Sequence, residues 1–416
     1  MRHDTRDLSE RRLSPDLEPA DRSPIEPPPI AEPAAAAPPG ARIPFLRPRP
    51  PRLSHLVAEL QALEASGIYS NYGPLNSRLE QALTEQIFDG RGGCLTVNNA
   101  TTGLIIAIRE AAANAAGRRL ALMPSFTFAA TGHAVLWAGL TPLLCDIDPE
   151  TWNISAAAEE ALLRAHAGEI ACLVPYACFG NGIDLERYAR IAHDTGIGVV
   201  VDAAASLGSL DEAGHGFGAG FPHAVVYSMH ATKTFATGEA GVIHCGDAER
   251  LARLRTMGNF GFGRPREATM PGLNSKLSEV GALLGLAKLG EFANVVGHRE
   301  ALAALYRQNL PGFQFQRTIG RRIAYQFVPL LLPENCRMSR PAIIEALAAE
   351  GIGAAHYFSP HLAEQDYFAG VCRKGDLTET AGIAARIISL PIADEMTGAE
   401  VLSVCAVLRR CIGANR

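Results

Sequence analysis

The chain has 416 residues, 48% of them hydrophobic, and this length and composition predict one large and one smaller folded domain. Its formal net charge of −5 and its pI near 6.2 offer no basic surface for phosphate groups, so we expect no nucleic-acid partner. Nine cysteines without a C-x-x-C pair are typical of reduced thiols rather than of a disulfide framework or a metal site. Because the N-terminus is charged and no uninterrupted apolar run approaches membrane-spanning length, we expect a cytoplasmic protein without a membrane partner.

The N-terminal segment differs in composition from the rest of the chain. Residues 1–42 are charged and then rich in proline and alanine, and they lack the periodic apolar residues that offset the entropy of ordering. We predict that they form a disordered tail. From Leu53 onward apolar residues recur at helical spacing, and Gly67 stands where a helix C-cap is expected.

Short apolar runs alternate with helical patterns between residues 94 and 247. The predicted strands are residues 95–97, 120–123, 143–145, 171–175, 198–201 and 224–227. The predicted helices between them are residues 101–112, 128–137, 155–165 and 185–193. This alternation predicts an α/β fold, with a mostly parallel sheet that helices cover on both faces.

The C-terminal part of the chain follows a different pattern. A helical region at residues 275–309 precedes an apolar run at 324–332 and helices at 341–350 and 398–411. We therefore predict a large domain over residues 43–295, which includes the N-terminal helix, and a small αβ domain over residues 296–416.

Two residues of opposite charge follow predicted buried strands. Asp202 ends the run VVVD, and Lys233 lies in the segment SMHATKTFATG. In a doubly wound sheet the carboxyl ends of the strands form the ligand crevice, so the two side chains can face one pocket. A desolvated lysine condenses with aldehydes, and a carboxylate keeps a pyridine nitrogen protonated. An aspartate cap and a solvated turn lysine would explain the same residues, and their spacing alone does not decide.

Two more segments follow predicted strands. NNATTG at residues 98–103 opens a helix, so its N–H groups and hydroxyls suit an anion such as phosphate, although an ordinary helix cap has the same residues. Phe128 belongs to PSFTF, and its ring either lies against a flat heterocycle or packs in the core.

The order and spacing of these motifs resemble those of the DegT/DnrJ/StrS family of sugar aminotransferases, which depend on pyridoxal 5′-phosphate (PLP), from residue 43 to the end. The matching motifs are SNYGPL at 70–75, NATT at 99–102, PSFTF at 124–128, DIDPET at 146–151, DAA at 202–204, SMHATK at 228–233, GLNSK at 272–276 with Glu279, and SLPI at 389–392. HATK at 230–233, NFGFG at 259–263 and GLNSK look most similar to enzymes that aminate C4 of nucleotide-linked 4-keto-6-deoxy sugars. The resemblance implies PLP fold type I.

The resemblance also implies a role for each matching residue. Lys233 would be the Schiff-base lysine and Asp202 the partner of the pyridine nitrogen, with Phe128 on the ring face. The phosphate would be held by Ala100, Thr101, Thr102 and Ser228, and by Asn274 of the neighbouring subunit of a homodimer with shared active sites. L-glutamate would be the amino donor and a nucleotide-linked keto sugar the acceptor.

Three positions depart from the usual pattern of the family. Ala205 stands where most members have Gln or His beside the cofactor ring, which opens space there. Ala100 replaces a glycine, so its methyl group would obstruct the phosphate unless its dihedral angles are ordinary ones. Lys276 stands where many members have Arg.

Other functions would be compatible with parts of this pattern. The same fold can act on a different keto acceptor, or dehydrate sugars in a branch that has His in place of Lys233, and Ala205 leaves room for a non-catalytic regulator. A nicotinamide-dependent oxidoreductase would need G-x-G-x-x-G after a strand, whereas the glycine-rich stretch at 214–220 precedes one.

Overall fold

The computed structural model describes residues 42–115 and 117–413. They belong to one compact unit. The tail predicted at residues 1–42 lies outside the described residues, apart from its last one, so its disorder stays a prediction.

Two helices open the described part, α1 (Val57–Ser66) and α2 (Pro74–Ile87). Gly67 ends α1 in the left-handed conformation, as predicted, with φ of 66°. The backbone N–H groups of Leu75 and Asn76 donate to the buried carboxylate of Glu279 at 2.8 and 3.0 Å, so a distant residue caps α2. A Cβ on Gly73 would lie 2.7 Å from that carboxyl carbon, which explains the glycine before Pro74.

The chain then alternates between strands and helices as predicted. The strands are β1 (Gly93–Val97), β2 (Leu120–Pro124), β3 (Thr141–Cys145), β4 (Ile170–Leu173), β5 (Gly198–Asp202), β6 (Ala224–Ser228) and β7 (Gly241–Cys245). The helices are α3 (Ala100–Ala111), α4 (Ala129–Trp137), α5 (Ala156–Ala165), α6 (Leu185–Thr195) and α7 (Ala248–Met257). The predicted strand at 171–175 ends two residues early, and β7, α2 and α7 were not predicted.

A second group of elements follows. The helices are α8 (Glu279–Asn309), α9 (Arg340–Ala349), α10 (Asp366–Val371), α11 (Thr378–Arg386) and α12 (Gly398–Cys411). The strands are β8 (Gln314–Phe315), β9 (Val328–Leu331), β10 (Arg373–Lys374) and β11 (Ile387–Leu390). The apolar run at 324–332 contains the strand β9, and β8, α10, β10, α11 and β11 were not predicted.

The strands form two sheets. The large one has eight strands in the order β1-β7-β6-β5-β4-β2-β3-β10, and β7 alone runs antiparallel to its neighbours β1 and β6. Successive side chains of a strand point to opposite faces of the sheet and enter two different apolar clusters. Val200 and Val226 belong to one cluster, and Val201 and Tyr227 belong to the other. Both faces are therefore buried, and the α/β fold with a mostly parallel sheet is confirmed.

The smaller sheet has the order β11-β9-β8 and a core of its own. Residues of α8, α9 and α12 pack on it, among them Tyr306, Leu347 and Leu408. The predicted boundary at residue 295 falls inside α8, which continues from one core to the other. The division into two domains stays a prediction.

Helix α8 is long and apolar enough to cross a membrane by length and composition, with a mean hydropathy of 1.3 over 18 residues. It nevertheless contributes Leu283, Phe292 and Leu302 to the protein core. Its charged residues Lys288 and Arg299 are also buried and pair with Asp394. These contacts identify α8 as a core helix of the folded chain.

Candidate active site

Asp202 lies at the carboxyl end of β5, a central strand, and is 3% exposed. The hydroxyl of Thr131 donates to its Oδ2 at 2.6 Å, and the backbone N–H of Ala204 donates to Oδ1 at 3.0 Å. Burial raises the pKa of the Asp202 carboxyl, while these hydrogen bonds and the charge of Lys233 oppose the shift. A buried carboxylate in these surroundings favours a further positive charge beside it.

Lys233 lies in the loop between β6 and β7, and backbone hydrogen bonds across the loop fix its position. The N–H of Ala231 donates to Gly238 O at 2.7 Å, and that of Lys233 donates to His230 O at 2.9 Å. The amine itself donates to Oε1 of Gln326 at 2.9 Å. Burial lowers the pKa of Lys233 to about 8, and the charge of Asp202 opposes this shift. The charges of Lys233 and Asp202 therefore act on each other, so the two side chains lie near one another, and a pKa of about 8 leaves the amine partly neutral near physiological pH.

The predicted phosphate site is the first turn of α3. Ala100 is its first helical residue and has no left-handed backbone, so its methyl group takes an ordinary position. The side chain of Asn99 caps the helix by accepting from the N–H of Thr102 at 2.9 Å. The first-turn N–H groups of Ala100 and Thr101 precede the intrahelical hydrogen bonds, and with the helix dipole they suit an anion.

Strand pairing in the large sheet places Ser228 near the first turn of α3. It ends β6 and pairs with Gly241 of β7, which in turn pairs with Val97 at the end of β1. A Cβ on Gly241 would lie 2.8 Å from the backbone nitrogen of Ala100, so only glycine lets β7 approach α3 this closely. Ser228 at the end of β6 and the start of α3 after β1 therefore lie on either side of the first residue of β7.

Phe128 is the residue before α4 and is 57% exposed. Its ring lies 6.4 Å from that of Phe358, and three residues further along the chain Thr131 binds Asp202. The ring is therefore not packed in the core, and it belongs to the segment that supports the carboxylate. This arrangement suits a flat heterocycle better than core packing.

Asn274 has an exposed side chain in the segment after α7. The N–H of Asn98 donates to Ser275 O at 2.7 Å, and the side chain of Asn98 donates to Asn274 O at 3.5 Å. The segment of Asn274 thus borders the phosphate turn of its own chain. Its contact with the neighbouring subunit stays a prediction.

Two residues of the site escaped the sequence analysis. Thr131 lies in the first turn of α4, and its hydroxyl is 2.9 Å from that of Thr127, which precedes the helix, so the spacing of four residues was an available signal for a pair of neighbouring hydroxyls. Gln326 is 93 residues from Lys233 and carried no local signal.

Comparison with known proteins identifies the class. The sequence profile of the DegT/DnrJ/EryC1/StrS aminotransferase family matches residues 54–409, and the chain belongs to this family. A structure of a protein assigned as a PLP-dependent aminotransferase from Bacillus cereus ATCC 10987 is 38% identical, with a TM-score of 0.83 over 88% of this chain and 99% of that one.

Two relatives are described with nucleotide-linked sugars. The structure of DesI with its TDP-sugar product is 31% identical, with a TM-score of 0.78 over 91% of this chain and 94% of that one. The dTDP-4-amino-4,6-dideoxy-D-glucose transaminase of Escherichia coli is 28% identical over 88% of this chain and 98% of its own. The chain is therefore an aminotransferase, and PLP is its expected cofactor.

The residues present fit PLP. A buried carboxylate whose pKa is raised by burial would be stabilised by a protonated pyridine nitrogen. Lys233 offers an amine of lowered pKa to the aldehyde. Because Gly241 has no Cβ beside the backbone nitrogen of Ala100, the first turn of α3 stays open to a phosphate. Phe128 offers an exposed ring.

Proposed function

We propose that this enzyme transfers an amino group from L-glutamate to a nucleotide-linked keto-deoxy sugar, at C4 of a 4-keto-6-deoxyhexose. The observation that carries the proposal is the pair formed by the buried Asp202 and the half-buried Lys233, which follow the carboxyl ends of β5 and β6. The names of DesI and of the E. coli transaminase support the choice of a nucleotide sugar.

The residues of the site divide the chemistry among them. PLP, when bound, supplies an aldehyde for amines and a ring that accepts electrons. Asp202 keeps positive charge on the ring nitrogen, and the first turn of α3 with Ser228 binds the phosphate. Lys233 is the nucleophile and the base, since a pKa of about 8 leaves a reactive fraction of neutral amine near neutral pH. In the reaction with the amino donor it would pass the proton of the donor's α-carbon to the cofactor, and in the reaction with the keto sugar it would pass a proton from the cofactor to C4 of the sugar.

A basic and aromatic flap at residues 259–276 supports a nucleotide-linked substrate. Asn259 pairs with Asn274 across its base, and the amine of Lys276 lies 4.6 Å from the ring of Phe260. Arg266 lies over the ring of Phe262 at 5.0 Å. Cationic groups beside an exposed aromatic ring suit a diphosphate and a base, so we assign the nucleotide to this flap.

We also propose a cytoplasmic homodimer, in which Asn274 reaches the phosphate site of the partner subunit. The nine cysteines are all unpaired thiols, which favours a reducing compartment. The side chain of Asn274 is exposed, so it is accessible to a second subunit.

The substrate is tested by incubating the enzyme with L-glutamate and a panel of nucleotide-linked 3-keto and 4-keto sugars. We expect a product with one added amino group at C4, identified by mass and by NMR, and no product with the Lys233→Ala variant. Amination at C3, or turnover only with keto acids, would contradict the proposal.

The shared site is tested by mixing two inactive variants, Lys233→Ala and Asn274→Ala. If Asn274 acts across the interface, random exchange of subunits creates dimers with one intact site, and activity recovers to about one quarter of wild type. An unchanged, additive residual activity after mixing would place Asn274 in its own site.

A further inference from the structure

The amine of Lys233 has one side-chain hydrogen-bond partner among the described residues, and it comes from the C-terminal part of the chain. Gln326 Oε1 accepts from Lys233 Nζ at 2.9 Å. The turn after Asp202 offers no alternative, since residues 203–205 are all alanine. The polar environment of the free amine therefore depends on a residue just before β9.

The backbone around Gln326 is fixed by a buried ion cluster. Arg299 donates to Tyr325 O at 2.9 Å and to Gln326 O at 3.5 Å. Its guanidinium also donates twice to Asp394 Oδ1, at 2.8 and 2.6 Å, and Lys288 donates to the other oxygen at 3.0 Å. Such a charge-assisted cluster, once buried, holds a segment in one place.

The same segment is attached to the large sheet on two sides. The hydroxyl of Thr234, next to Lys233, donates to Ala324 O at 3.3 Å. The N–H of Ala324 donates to the hydroxyl of Ser209 at 3.0 Å, and Ser209 belongs to the turns that follow Asp202. Residues 324–326 therefore lie between the loop of Lys233 and the end of β5, and the carboxamide has a defined direction.

We infer that Gln326 is a positioning residue for Lys233. Its carboxamide oxygen accepts from one N–H of the free amine, so that the lone pair of the nitrogen faces the proton that is to be removed. The inference rests on the proposed function only in taking Lys233 as the base. A Lys233 nitrogen engaged in a covalent bond has fewer N–H groups to donate, so Gln326 acts on the steps in which the amine is free. An amide oxygen also favours the ammonium form, which accepts no hydrogen bond and donates three.

Besides the neutral amide of Gln326, Lys233 interacts with the charged carboxylate of Asp202 on β5. His230, in the same loop, is directed to the hydroxyl of Thr232 at 2.8 Å and to Glu239 at 3.4 Å. A change at position 326 therefore alters the protonation of Lys233 without removing its carboxylate partner.

The test compares Gln326→Met, which keeps the length and loses the amide, with Gln326→Glu. The full-length chain is freed of PLP, and labelling of Lys233 by an amine-reactive reagent is followed against pH by peptide mass spectrometry. Burial sets a midpoint of about 8 for the wild type. We expect the midpoint to fall by about one pH unit in Gln326→Met and to rise in Gln326→Glu. Gln314→Met, the same change on β8, is the matched control.

Kinetics of the PLP-loaded enzyme provide the second measurement. We expect Gln326→Met to lower the rate of the reaction with L-glutamate about tenfold, with little change in KM, because the amine is misdirected rather than the donor lost. Midpoints and rates equal to those of the wild type in both variants would overturn the inference. Because the labelling needs no sugar, it stands or falls separately from the substrate assignment.

Discussion

Two aspartates are buried beside basic residues in this chain, and their surroundings differ in one respect. Asp394 is 6% exposed at its side chain and has two cationic partners, Lys288 and Arg299, at 3.0 and 2.6 Å. These charges hold the pKa of Asp394 below its usual range despite burial. Asp202 is more deeply buried, with 3% of its surface exposed, but it accepts from the neutral Thr131 and Ala204, and burial raises its pKa.

This difference separates a structural charge from a functional one. The cluster of Asp394 satisfies its charges within the chain and fixes the backbone before β9. The carboxylate of Asp202 is stabilised by a neighbouring positive charge. Lys233 supplies such a charge, but its own pKa is lowered, so the amine is partly neutral. The first pattern stabilises the fold, and the second provides a site for a cationic ring.

The largest effect is expected from Lys233→Ala. This variant should fold, because the loop is held by backbone hydrogen bonds, and it should have no transaminase activity. The measurement is the intact mass after borohydride reduction, in which the wild type alone should retain the cofactor covalently. Lys374→Ala, an exposed lysine, is the control, and turnover by Lys233→Ala would refute the role of Lys233.

Asp202→Asn should lower the rate of amino transfer on the order of 100- to 1000-fold, because a neutral amide does not hold the charge of the ring nitrogen. PLP should still bind, and the free energy of unfolding should change little. Stopped-flow absorbance with L-glutamate and a denaturation curve measure the two quantities. Asp194→Asn, at an exposed aspartate, is the control, and near-normal rates would remove the distinction between the two aspartates.

Asp394→Asn should have the opposite profile. Loss of the carboxylate leaves the buried Arg299 without its ion-pair partner, while Lys288 keeps Glu291 at 2.8 Å, so the free energy of unfolding should fall by about 3 kcal/mol. Urea denaturation measures it against Glu395→Gln, a change at the neighbouring, 56% exposed acid. A stability equal to that of this control would mean that the cluster does not hold the fold.

The smallest effect is expected at Ala205, which is buried in the turn after Asp202. We expect Ala205→Gln to leave the reaction with glutamate intact and to slow the reaction with the keto sugar about tenfold, because the side chain fills space used by the acceptor. Ala205→Gly, which adds no volume, is the control. Equal slowing of both reactions, followed separately by stopped flow, would indicate tuning of the cofactor instead.

Local signals account for most of the predicted fold. Helix α6 begins after Asp184, whose carboxylate accepts from Arg187 N at 2.8 Å, and ends at the left-handed Gly196, so both of its ends are encoded nearby. Helix α2 was missed because its capping carboxylate, Glu279, is some two hundred residues away in sequence. Helix α7 was missed despite a local signal, the N-cap Asp247.

The sequence by itself determined the alternation of strands and helices, the family, and the polar residues that follow each strand, because these depend on short-range patterns and on motif order. Only the tertiary structure decided that Asp202 accepts from Thr131 and Ala204, that Gly241 brings β7 against α3, and that Gln326 binds Lys233. Those facts depend on burial and on contacts between distant segments. Burial sets the pKa values, and the packing of the C-terminal part against the sheet sets the partner of the amine, so neither can be read from neighbours in the chain.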